Sequence, residues 1–150
     1  MTTEFKNDNG LISNVSRSTA FDESSLTLEP IVNICSEEFI ESLAPYCQPR
    51  QCFDNALKVS QIHKCEYILG AVYFQDLGFA TEHAWNADES GSFDVTNALF
   101  WEDTDDAIYF ECIRFSHHAA LDIFDECGGL HRSVLTRQGY LKRTKSGTAL

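Results

Sequence analysis

Residues 66–87, "EYILGAVYFQDLGFATEHAWNA", leave the chain few ways to fold. The first ten are dominated by aliphatic and aromatic side chains that suit a pleated strand, and Asp76, Leu77 and Gly78 read as a turn. Beyond the turn, Phe79, Thr81, His83 and Trp85 alternate with Ala80, Glu82, Ala84 and Asn86. A period of two sends these sets to opposite faces of a strand, so the stretch is expected to be a β-hairpin. A lone hairpin is only marginally stable in water, so the rest of the chain has to extend and cover it.

The flanks supply that cover. "SEEFIESLAP" offers Ser36 as an N-cap, Glu37 and Glu38 at the positive end of a helix, and Pro45 as its stop. "YCQPRQ" is a loop, and from Cys52 the helical spacing resumes, with Cys52, Ala56, Val59 and His63 on one face. After the hairpin, Asp88 to Gly91 form a turn, "SFDVT" a short third strand and "DAIYFECIRF" a fourth. "SHHAALDIFDECGG" then reads as a helix ending at a glycine pair. Helix, helix, antiparallel strands, helix is an α+β layout in which the cysteine-bearing helix packs on a small antiparallel sheet. At 150 residues and 43% hydrophobic, the chain has material for one core. Residues 29–130 are expected to build it, with the polar stretch 1–28 as a flexible arm and 131–150 as a basic tail.

Charge and cysteine usage narrow the function classes. The net charge is −12, yet Arg132, Arg137, Lys142, Arg143 and Lys145 lie in a stretch without a single acid, so the body is more acidic than the whole. Such a body repels phosphates, so neither nucleic acid nor a membrane is expected as a partner, whereas a basic protein fits. The longest apolar run, "YILGAVYF", is too short to span a bilayer. The opening "TTEFKNDNG" has no export-signal pattern, so the six cysteines are expected to be reduced thiols in a cytoplasmic protein. Cys47-x4-Cys52 and Cys127-x3-His131 miss zinc-finger spacing, and no phosphate loop, HExxH or nucleophile elbow occurs, so no metal or cofactor is expected.

What remains is Cys52 at a helix start. A thiol near its ordinary pKa of 8.5 is only slightly ionised at neutral pH, and the thiolate is the nucleophile. A helix N-terminus favours the anion through its unpaired N–H groups and its dipole. An imidazole completes the activation and later protonates the leaving group, and His83, in mid-strand, can be aimed at the helix tip. Its second ring nitrogen needs an acceptor, which Asp94 in "SFDVT" can provide from the next strand.

Cys52-x-x-Asn55-Ala56, a hairpin, Glu82-His83-Ala84-Trp85, Asp94-x-Thr96 and the aromatic strand "YFECIRF" together resemble the small papain-like cysteine hydrolases of the NlpC/P60 and transglutaminase-like kind. The resemblance covers roughly residues 47–115 and implies a papain-like core. It also implies Cys52 as nucleophile, His83 as base and Asp94 as orienting residue. Gln48 resembles the glutamine that such enzymes place upstream of their cysteine as an oxyanion donor, with Gln51 a competing choice. Asn55 is expected beside the site, bonding a loop backbone, and Trp85 is either a groove wall or a core aromatic. The activity these residues imply is transfer of an acyl group from an amide, ester or thioester through a Cys acyl-enzyme, on a peptide, protein or small amide. The competing reading is a non-catalytic acidic module that keeps the fold and binds a basic partner or mimics a nucleic acid.

Overall fold

In chain order the elements are α1 (Asn9–Thr19), β1 (Thr27–Glu29), β2 (Val32–Asn33), α2 (Glu37–Leu43), α3 (Cys52–His63), β3 (Glu66–Phe74), β4 (Phe79–Asp88), β5 (Gly91–Phe93), α4 (Val95–Phe100), β6 (Ala107–Phe115), α5 (His117–Cys127) and α6 (Arg132–Arg137). They come from a computed structural model that describes residues 9–29, 32–33, 35–101 and 107–142. The expected hairpin is β3 and β4, antiparallel from Glu66 opposite Ala87 to Phe74 opposite Phe79. Gly78 closes its loop at φ +75, a left-handed conformation that glycine adopts without penalty.

The hairpin sits inside a six-stranded α+β sheet of order β1-β6-β3-β4-β5-β2. All its pairings are antiparallel except β2 with β5. β1 and β2 occupy opposite edges although only residues 30 and 31 separate them. Three residue steps reach at most about 11 Å, so the sheet has to curl until its edges nearly meet. The Ser92 hydroxyl on β5 donates to the Glu29 carboxylate on β1 across that closure.

Alternation along the strands divides the side chains between the two faces of the curl. Tyr67, Leu69, Ala71, Ala80, Ala84 and Phe110 face outward beneath the helices, buried with Leu11 and Val15 of α1, Ala56 and Leu57 of α3, Ala120 and Ile123 of α5, and Leu135 of α6. Ile68, Val72, Trp85 and Tyr109 fill the inner face. A third cluster, with Leu43, Val59, Phe93 and Val95, packs α2, α3 and α4 together at one end. Ser36 caps α2 as its position promised, accepting from the Phe39 N–H, and Gly128 ends α5 at φ +83.

Three expectations need correction. Residues 9–28 are no arm: Leu11, Val15, Phe21 and Leu26 are buried in the main core, because α1 packs on β4 and β3. Residues 131–142 are more than a basic tail, since α6 buries Leu135 completely and Leu130 is buried just before it. Residues 1–8 and 143–150 lie outside the described set. Finally, the third strand ends at Phe93, and Asp94 leaves the sheet to become the N-cap of α4, its carboxylate accepting from the Asn97 N–H at 3.2 Å. An Asp followed by a helical run is a cap signal that outweighs the β-branched pair Val95 and Thr96.

Candidate active site

Cys52 is the first residue of α3 and is half-buried. Gln51 stands at the cap position without a side-chain bond to the helix, so no capping side chain competes for the N–H groups of this first turn. The chain enters through Arg50, whose φ of 65° is left-handed and costly for a residue with a Cβ. The strain sits two residues before the thiol, where it fixes the angle at which the helix begins.

His83 is 3% exposed on the inner face of β4, enclosed by Trp85, Trp101 and Tyr109. On β4, β5 pairs only with Asn86 to Asp88, so β5 does not cover the β4 edge at His83. From α4, Asp94 meets His83, with Nε2 to Oδ2 at 2.7 Å. The Cys52 side chain lies beside the same imidazole, close enough to raise its pKa. With Nε2 taken by the carboxylate, Nδ1 is the nitrogen left for sulfur. Burial alone pulls the His83 imidazole down, but the charge and hydrogen bond of Asp94, joined by those of Cys52, raise it to about 10. The carboxylate of Asp94 thus favours the protonated, imidazolium form of the ring.

Asp94 is held in turn. Its Oδ2 also accepts from the Tyr109 hydroxyl at 2.6 Å, and that hydroxyl accepts from Asn97 Nδ2 at 2.9 Å. A chain therefore runs from Asn97 through Tyr109 and Asp94 to His83 and Cys52. Burial, and then the charge of Asp94, push the Tyr109 phenol far up, so it remains a donor. Tyr109 and Asn97 carried no signal in the sequence that would have singled them out.

The structure thus brings Cys52, His83 and Asp94 together, and it has Asn55 bonding the loop backbone as expected. Asn55 is 1% exposed with its amide fully engaged: Oδ1 accepts from the Gln48 N–H at 3.0 Å, while Nδ2 donates to the Gln48 carbonyl and to Thr96 Oγ1. It pins the entry loop and α4 to α3, so no amide group is left for a substrate. Gln48 is solvent-exposed in that loop. Trp85 is 1% exposed, edge-on to Tyr109 with ring centroids 5.0 Å apart, which makes it a core aromatic behind His83 and not a groove wall.

On the other side of Cys52, Phe53 packs against the His131 ring at 4.3 Å. The half-buried Glu82 carboxylate accepts from the Arg132 N–H at the start of α6. Glu82 and His83, neighbours on β4, therefore serve opposite faces. All six cysteines are free thiols. Among the described residues no group of three or more His, Cys, Asp or Glu is placed to hold a metal ion, and no helix is long and apolar enough to cross a membrane. Comparison with protein-family models, with curated proteins and with solved structures finds no match to the chain.

Proposed function

We propose that this chain is a thiol-dependent hydrolase or acyltransferase working through a Cys52 acyl-enzyme, on a papain-like core of the NlpC/P60 or transglutaminase-like kind. The observation that carries the reading is the buried His83 imidazole, bonded to Asp94 at 2.7 Å and set beside Cys52 at a helix start. In the first step the Cys52 sulfur attacks the carbonyl of an amide, ester or thioester, and the C–S bond forms. The oxyanion gathers against the N–H groups of the first turn of α3. His83 gives its proton to the leaving group as the old bond breaks. In the second step water or an amine gives a proton to His83 and attacks the thioester, releasing an acid or a new amide and restoring the thiolate. Peptides, proteins and small amides are the substrate class. Six free thiols support a reducing, cytoplasmic setting.

The test is brief alkylation of the native protein with iodoacetamide at about pH 6.5, with each modified cysteine mapped by mass spectrometry. Cys52 should react about tenfold or more ahead of every other thiol and lose that lead in His83→Ala. A Cys52 no faster than Cys35 or Cys127 would sink the enzyme reading and leave an acidic module, net charge −12, presented to a basic protein.

A further inference from the structure

The last acid in the chain is Glu126, and the bases beyond it follow one another without a counter-charge in a protein of net charge −12. The first of them, Arg132, stands against the candidate site. Its N–H donates to the carboxylate of Glu82, the neighbour of His83 on β4. Just before it, the exposed His131 ring packs at 4.3 Å on Phe53, the neighbour of Cys52 on α3. Two separate contacts therefore tie the start of α6 to the residues beside the base and beside the nucleophile.

Glu82 takes the main-chain N–H of Arg132, and the Arg132 guanidinium forms no ion pair among the described residues. Arg114, by contrast, is paired with Glu29, Glu66 and Glu111. Arg132 Nε is buried, and no described residue hydrogen-bonds with it. Thr136 lies one turn further along α6 on the same face, and its buried hydroxyl is equally without a partner among the described residues. Each unmade bond is costly, and the cost is greater for a charged group. Both residues are only half-buried as a whole, so a ligand can approach this face from solvent. A guanidinium beside a hydroxyl donor is a match for the two oxygens of a carboxylate.

We propose, resting on the reading of Cys52 as the nucleophile, that Arg132 and Thr136 form a subsite for a carboxylate of the substrate. The substrate class narrows accordingly to amides and peptides with a free carboxylate near the bond that is cleaved. The His131–Phe53 ring pair bridges the subsite to Cys52, and Glu82 holds the helix start that presents it.

The test alkylates Cys52 at about pH 6.5 and low salt with iodoacetylglycine and with iodoacetylglycinamide, reagents matched in shape that differ in one charge. His83 acts on both reagents in every variant at Arg132 or Thr136, so the ratio of the two rates isolates the subsite. In Arg132→Gln the carboxylate-to-carboxamide ratio should fall by about 3- to 10-fold while the carboxamide rate stays native. Thr136→Val should keep the native melting temperature and lower the ratio as well, and it decides the matter if Arg132→Gln fails to fold. A native ratio in the folded variants, with Cys52 still ahead of the other thiols, overturns the subsite and leaves the nucleophile standing. A native Cys52 no faster than Cys35 or Cys127 toward the carboxamide overturns both.

Discussion

Asp94 accepts from His83, Tyr109 and the Asn97 N–H, so its removal strands more than one partner. Asp94→Ala leaves His83 buried with an unpaired charge, and a loss of about 3–5 kcal/mol is expected in urea unfolding, together with loss of the Cys52 alkylation lead. Tyr109→Phe removes one donor and leaves Asn97 Nδ2 without its acceptor, so about 1–2 kcal/mol is expected from the same measurement. Gly70 stands opposite His83 in register, and a Cβ there would lie 2.0 Å from the Phe110 carbonyl oxygen and 2.9 Å from Trp85. Backbone cannot yield as a side-chain tip can, so Gly70→Ala should cost about 3 kcal/mol or more and disturb the ring stack behind His83. Cys52, His83 and Asp94 could be read from the sequence because each bears a local mark: a helix start, a strand alternation and a residue just after a turn. Tyr109 bears none, since it reaches Asp94 only because β6 pairs with β3, a choice made by long-range packing.

At the scale of elements, Asn55 joins three of them with one side chain. Asn55→Ala should cost about 2–4 kcal/mol in urea unfolding and free the entry loop, which faster proteolysis between residues 46 and 51 would report. Leu135→Ala tests whether the C-terminal stretch belongs to the core: the fully buried Leu135 of α6 predicts a loss of about 2–5 kcal/mol in urea unfolding. The hairpin, α2, α3 and α5 were legible because their periodicity and caps agree. α1 was not, because "NGLISNVSRST" has few apolar positions and no acid in its first turn, so its stability comes from the sheet beneath it. The run of bases around α6 likewise hid Leu130 and Leu135, which are buried in the main core.

For the whole molecule, buried thiols and His83 set a common pH response. Burial pushes Cys35 and Cys65 up to about 11 and Cys112 to about 12, well above an ordinary thiol. Above 9 the unfolded chain sheds protons that the folded one keeps, so stability falls as pH rises. His83 acts in the same direction: its contribution is complete below 6.5 and vanishes as pH climbs through about 10. Thermal melting should therefore decline steadily from neutral pH into the alkaline range, and the decline should shrink between 6.5 and 10 in His83→Ala. The curled sheet also bears on the order of events at the ribosome. Residues 27–33 are made early, but β1 waits for Tyr109 to Glu111 and β2 for Ser92 and Phe93. At about 5–20 residues per second, the roughly 80 residues up to β6 take about 4–16 seconds to appear. Through that interval β1 has nowhere to dock, so the nascent chain carries its clasp open until the last strand is out.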